Sequence, residues 1–168
     1  MLRAAGIVAL IVLAACNGTS AKPPSSPTPI VAQGNWTENL TFSGEISGHM
    51  ATIVPDVGDQ HSQCTGGRTH NGETWANLFY GTVDASGVVW GVVFQIKNFR
   101  GPGTYQGSSI TIEVHSTDTT KVWQTGTADK VMFTLDRSQQ SGTVNATLTN
   151  ATSGKSGLQL TGNWNCRQ

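Results

Sequence analysis

Alternation of apolar and polar residues with a period of two is the feature that most constrains the fold of this chain. In residues 36–47, Trp36, Leu40, Phe42 and Ile46 fall on one face, and Thr, Asn, Ser and Glu residues fall on the other. The alternation returns in residues 88–99, 110–115, 131–135, 144–148 and 158–166. Period two over such lengths is typical of half-buried β-strands, and no segment keeps a helical period for longer than a turn.

Short polar turns separate these runs at a spacing of about 12 residues. Residues 84–87, for example, read Asp-Ala-Ser-Gly, in which the glycine suits a positive φ at a hairpin. Strands joined by short turns are antiparallel neighbours. We therefore expect an all-β fold, an antiparallel β-sandwich of about eight or nine short strands, with a closed antiparallel barrel as the alternative.

Charge excludes several classes of partner. Ten cationic and ten anionic residues give a formal net charge of zero, and charged residues make up only 12% of the 168-residue chain. Binding to nucleic acid requires a clustered basic surface, so no nucleic-acid partner is expected. Glycine loops that cradle phosphates are also absent from the sequence, and no cofactor is expected.

The N-terminus has the pattern of a secretory signal peptide. Arg3 precedes an apolar run that ends in Leu13, Ala14, Ala15 and Cys16. The run is too short for a bilayer span, which takes about 20 residues. Residues 13–16 match the lipobox, and at this point the chain resembles bacterial lipoproteins. The resemblance implies diacylglycerol transfer to the Cys16 thiol, cleavage before Cys16, palmitate-type acylation and anchoring to the bacterial cell membrane on its extracytoplasmic side.

These features divide the chain into three parts. Residues 1–15 are the predicted signal peptide, and residues 16–34 are the lipidated cysteine and a linker rich in Pro, Ser and Thr. Residues 35–168 are the predicted β-sandwich domain. The Gly-Pro-Gly-Thr-Tyr turn at 101–105 and the terminal Trp164-Asn165-Cys166 make this domain loosely similar to uncharacterised small all-β secreted lipoproteins. That similarity implies no activity.

Three cysteines are present, and the lipid takes Cys16. The remaining pair, Cys64 and Cys166, predicts one disulfide in an oxidising compartment. Cys166 shares a strand face with Leu160 and Trp164, so its side chain is expected to point inward. The bond would tie the long segment around Cys64 to the C-terminal strand.

The longest irregular stretch is predicted from Pro55 to Thr74. It holds the candidate binding residues Asp56, Asp59, His61, Arg68, His70 and Glu73. Irregular segments of this length are usually functional or disordered. The spacing of the carboxylates and histidines fits neither a zinc site nor a calcium loop, so no metal is predicted. In the alternative interpretation, the loop only covers a sheet edge.

Catalytic motifs are missing from the sequence: it contains neither Gly-x-Ser-x-Gly nor Ser-x-x-Lys. Glu45 and Glu113 could pair across strands, but two glutamates are too little to indicate a glycosidase. His49 and His115 are expected to be exposed on polar strand faces. Hence no catalytic residue is assigned.

Five tryptophans suggest a glycan ligand, because indole rings can stack on sugars. Trp90 and Trp164 are expected in the core, Trp75 is ambiguous, and Trp36 and Trp123 are the candidates for an exposed face. We therefore expect a lipid-anchored, non-enzymatic domain that binds a ligand, a glycan or a surface protein. The alternatives are an envelope hydrolase with its site in residues 55–74 and a purely structural surface lipoprotein.

Overall fold

A computed structural model describes residues 37–51, 53–54, 56–68, 73–84 and 87–166, with residues 64–68 described by their backbone alone. The predicted signal peptide, Cys16, the linker, Trp36 and His70 lie outside the described residues. Within these ranges, no helix has the length and apolar character needed to cross a membrane. The strands are β1 (Thr37–Gly44), β2 (Gly48–Met50), β3 (Asp56–Val57), β4 (Gln60–His61), β5 (Gln63–Arg68), β6 (Thr74–Thr82), β7 (Val89–Lys97), β8 (Gly103–Gln106), β9 (Ile110–Ser116), β10 (Val122–Gln124), β11 (Val131–Leu135), β12 (Ser141–Asn150) and β13 (Ser156–Asn165), with a 3₁₀ turn η1 (Gly107–Ser109) between β8 and β9.

One antiparallel sheet contains every strand except β3 and β4. Its order is β2-β1-β13-β12-β10-β9-β7-β6-β5, and β11 pairs with both β12 and β8. The two ends of this sheet approach each other, because the Val54 amide donates to the Tyr80 carbonyl at 2.6 Å and Ile53 bridges to Gly81. The all-β antiparallel prediction is confirmed. The near-closure gives a barrel-like form that both the sandwich and the barrel expectation accommodate.

Aromatic rings fill the interior. Trp75, Phe79, Phe94, Phe133 and Trp164 are each at most 1% exposed. Their contacting ring centroids lie 5.0 to 6.3 Å apart. Large apolar side chains at every second position of facing strands produce this packing, and each ring removes a large apolar area from water. The interior is thus a packed core.

The tryptophan predictions had mixed outcomes. Trp90 and Trp164 are buried as expected, and the ambiguous Trp75 is fully buried. The expectation for Trp123 was wrong: its side chain is only 3% exposed. Its ring packs against that of Trp90, with centroids 5.7 Å apart, and its indole N–H donates to Glu45 at 3.0 Å. A polar partner allows this indole to be buried.

Neighbouring strands of the sheet run in opposite directions, so the connections between them gather at two ends of the barrel. The end that carries the connections β1–β2, β6–β7, β9–β10 and β12–β13 is called the upper end. The lower end carries the start of β1, the end of β13 and the connections β7–β8 and β11–β12. In the register, Thr37 lies opposite Asn165, and Asn165 lies opposite Ser141. The described part of the chain therefore begins at the lower end.

The expected irregular stretch from Pro55 to Thr74 contains three strands, and here the prediction was wrong. β3 and β4 form a hairpin, and β5 pairs with β6, with Gln63 opposite Leu78 and Arg68 opposite Trp75. The β5 sequence Gln-Cys-Thr-Gly-Gly-Arg has no alternation that would indicate a strand. β5 is a strand because it satisfies the backbone hydrogen-bonding groups on the edge of β6.

Candidate functional site

Three of the six candidate residues lie on the β3–β4 hairpin. His61 Nδ1 and Asp56 Oδ1 are 2.6 Å apart, with His61 69% and Asp56 48% exposed. Asp59 is exposed in the turn between them. The hairpin is held to the barrel wall by a hydrogen bond from the Tyr80 hydroxyl to Gln60. An exposed pair of this kind contributes only about 0 to 1 kcal/mol to stability.

The other candidates are not brought to this hairpin. Arg68 ends β5, and the exposed Glu73 directly precedes β6, where its carbonyl accepts from the Phe99 amide at 2.7 Å. Glu73 is seven positions before Tyr80 along the chain, about 23 Å at the usual rise of a strand. The predicted set is thereby divided between the barrel wall and the lower end. In the part of the chain that the structure describes, no three His, Cys, Asp or Glu residues are grouped as metal ligands.

On the barrel wall, His115 is only 7% exposed, so the expectation that it is exposed was wrong. Its ring covers Gly91, which lies opposite it on β7, and a Cβ at Gly91 would stand 2.3 Å from its Nε2. Its Nδ1 is 3.1 Å from Glu113 Oε1. An aromatic ring over a cross-strand glycine is a packing device of sheets. Burial, and then the Glu113 charge, raise the pKa of the adjacent Tyr80.

The upper end carries a depression of about 440 Å³. Its floor includes Ile46, Trp90 and Trp123, and its rim carries Glu45, Asp84, Lys121 and Asn150. This volume lies within the range of small-molecule sites, which combine an apolar floor with a few fixed polar groups. The lining comes from all four upper connections or the strand residues beside them, so only the folded barrel assembles it.

Glu45 is the best-fixed polar group of this depression. Its Oε2 accepts from Trp123 Nε1 at 3.0 Å and from Asn150 Nδ2 at 2.8 Å. Its backbone amide donates to the Gly157 carbonyl at 2.8 Å. A Cβ at Gly157 would stand 2.3 Å from Glu45 Oε1, so any larger residue there would displace the Glu45 carboxylate. The Glu45–Glu113 pair considered from sequence is not formed, because each carboxylate has its own partners.

A second acid, Glu38, is buried inside the barrel wall and was missed by the sequence argument. It is 3% exposed, and neither carboxyl oxygen has a hydrogen-bond partner among the described groups. It lies opposite Trp164, whose indole N–H is likewise unpartnered there. Burial raises the pKa of Glu38 from its ordinary 4.5 to about 8. The signal was available, since position 38 continues the inward face of Leu40 and Phe42.

No family model, no curated protein and no solved structure matches this chain.

Proposed function

We propose that this chain is a lipid-anchored extracytoplasmic domain of the bacterial envelope that binds a small hydroxyl-rich ligand of the carbohydrate class at its upper end. The observation that carries the proposal is the Glu45 carboxylate, fixed by Trp123 and Asn150 at the rim of a depression with an indole floor. Because aromatic side chains fill the interior, a ligand can be bound only at the surface, and the depression lies at the upper end.

The rim chemistry suits a ligand that both donates and accepts hydrogen bonds. Glu45 and Asp84 supply acceptors, and Lys121 and the second N–H of the Asn150 amide supply donors, since Asn150 Oδ1 already accepts from the Thr152 and Ser153 amides. Trp90 and Trp123 are 9% and 3% exposed, so they would contact a ligand with their edges. A pre-positioned carboxylate lowers the cost of ordering the site when a ligand binds.

Binding is tested with a glycan array probed by the full chain in a non-ionic detergent. Glu45→Ala is expected to abolish binding, Glu45→Gln to weaken it, and Glu73→Ala, which removes an exposed carboxylate at the lower end, to leave it unchanged. Absence of any bound glycan would favour the purely structural alternative. Cleavage of a bound glycan, lost on changing Asp56 and His61 to Ala, would favour the hydrolase.

The anchor rests on residues 13–16 and on the position of the domain's entry point. β1 begins at the lower end, so the proposed ligand end lies opposite the first described residue, Thr37. Stable membrane attachment requires two acyl signals, which a mature bacterial lipoprotein supplies. Cys16→Ser in the native host is expected to abolish partitioning into detergent. Mature-size Cys16→Ser protein that still partitions would contradict the anchor.

We also propose the Cys64–Cys166 disulfide. Cys166 is 2% exposed and follows β13 directly, and the same face of that strand carries the buried Leu160 and Trp164. The bond would close a ring of roughly 100 residues. In the chain-entropy model, such a bond stabilises the folded protein by at most about 4.7 kcal/mol. Non-reduced protein is expected to be two hydrogens lighter than reduced protein by intact mass. Two free thiols under air would contradict the bond.

A further inference from the structure

A second pocket, of about 520 Å³, lies at the lower end between the β7–β8 connection and the 3₁₀ turn η1. Its lining includes Lys97, Asn98, Arg100, Thr104 and Ser108. Every side chain that lines it offers an N–H or O–H donor, and none is a carboxylate. The upper depression, by contrast, contains two carboxylates. The electrostatics of the lower pocket favour an anion.

Four of these donors are uncommitted. Among the described residues, the side chains of Lys97, Asn98, Arg100 and Ser108 make neither a hydrogen bond nor an ion pair. The remaining hydroxyls are used by the protein itself, such as that of Tyr105, which donates to the Gly101 carbonyl at 2.5 Å. Some of the lining side chains therefore maintain the shape of the pocket, and the four uncommitted ones remain available to a ligand.

The turn that presents the two cations is held in shape. Asn98 has a φ of 56°, in the left-handed region that bends the chain directly after β7. The Tyr105 ring stacks on Phe99 with centroids 6.3 Å apart, and its oxygen accepts from the Arg100 amide at 3.3 Å. Lys97 and Arg100 therefore flank a fixed backbone, which lowers the cost of ordering the site on binding.

We infer that this pocket binds a phosphate oxyanion, either free phosphate or the phosphate of a phospholipid headgroup. The guanidinium of Arg100 can donate to two phosphate oxygens in parallel, and the ammonium of Lys97 adds a point charge. Asn98 and Ser108 supply neutral donors for the remaining oxygens. The pocket shares the lower end with Thr37, where the chain enters the domain. The headgroup source rests on the proposed anchor, whereas the phosphate chemistry does not.

The first experiment titrates inorganic phosphate into the full chain in a non-ionic detergent and follows the Asn98 side-chain amide and the Arg100 Nε–H by NMR. Lys97→Ala and Arg100→Ala are each expected to weaken binding about tenfold, the usual effect of losing a hydrogen bond to a charged group. The control is Arg137→Ala, an exposed cation of the β11–β12 connection at the same end but outside the pocket. Unshifted amides, or equal weakening by Arg137→Ala, would overturn the site.

The second experiment identifies the source of the phosphate. The lipidated chain is placed in phosphatidylcholine vesicles with or without phosphatidylglycerol, and trypsin cleavage after Lys97 and Arg100 is measured. Protection that is reduced in Asn98→Gly, which keeps both cleavage sites, identifies headgroup phosphate, whereas protection that Asn98→Gly leaves unchanged reflects the membrane surface and overturns the headgroup source. Phosphate binding in detergent without vesicle protection identifies free phosphate. A chain that binds phosphate but leaves the vesicles would count against the anchor alone.

Discussion

The two ends of this barrel are made by the same strands but have opposite chemistry. At the upper end, polar groups are bonded to one another, and the Glu45 carboxylate joins Trp123 and Asn150. At the lower end, Lys97 and Arg100 are flanked by donors that have no described partner. Because packed rings separate the ends, each is determined by its own connections. Substitutions can therefore reveal which effects belong to one end and which to the shared core.

The largest expected change in the free energy of unfolding comes from Glu38, which lies in β1 near the lower end. Its folded pKa of about 8 lies above its ordinary 4.5, so the folded protein binds one more proton than the unfolded chain between these values. The contribution of Glu38 to the free energy of unfolding is therefore fully present below pH 4.5 and falls by about 1.4 kcal/mol per pH unit towards pH 8. The total is on the order of 5 kcal/mol. Urea unfolding across this range measures it.

Glu38→Gln removes the titrating group while keeping the shape of the side chain. Its unfolding free energy is expected to lack this slope. The matched control, Glu73→Gln, changes an exposed acid at the same end and should keep the parent's slope. A parent protein with constant stability from pH 4.5 to 8 would contradict the buried, unpartnered carboxyl.

The next effect tests the core that separates the ends. Phe94→Ala removes a ring that contacts Phe79, Phe133 and Trp164 and should cost about 3 to 5 kcal/mol. Because the core is shared, amide exchange should accelerate at both ends together. Met132→Ala is the control, since that side chain is 53% exposed and its loss should cost less than about 0.5 kcal/mol. Faster exchange at one end alone would mean that the ends unfold separately.

Much of this barrel could be predicted from local pattern, because period two reports directly on a buried strand face. β1, β7 and β13 follow from that pattern, and so does the burial of Trp164. Glu38 was missed although it continues the inward face of Leu40 and Phe42, because a lone acid between apolar positions does not itself indicate burial. β5 could not be predicted, because its pairing with β6 decides its conformation and its own residues do not alternate.

The upper depression was beyond a sequence argument for a different reason. Glu45 lies 78 residues from Trp123 and 105 residues from Asn150, and it meets them only when the barrel closes. Read locally, Glu45 belongs to the polar face of a strand and Trp123 to an isolated short run. One part of the lower pocket was visible in the sequence, namely the Gly-Pro-Gly-Thr-Tyr turn at 101–105. The cations beside it, Lys97 and Arg100, were not predicted as a site, because no motif or periodicity marks them.

A smaller effect is expected from Glu45→Ala, which alters the upper end only. The substitution removes two hydrogen bonds and leaves the N–H of an indole that is 3% exposed without its partner. An unsatisfied buried donor costs about 1 to 3 kcal/mol. Exchange should accelerate in the upper connections and stay unchanged near Lys97. Equal acceleration at the lower end would contradict the independence of the two ends.

The smallest effect separates shape from binding at Asn98. Its φ of 56° is unfavourable for most side chains, so Asn98→Ala should lower the unfolding free energy by about 1 kcal/mol. Asn98→Gly adopts the same backbone freely and should change it by less than about 0.5 kcal/mol. Both substitutions remove the side-chain amide from the lower pocket, so both should weaken phosphate binding equally while differing in stability. If binding instead follows stability and Asn98→Gly keeps full affinity, then Asn98 only shapes the turn, and the cations would bind phosphate without it.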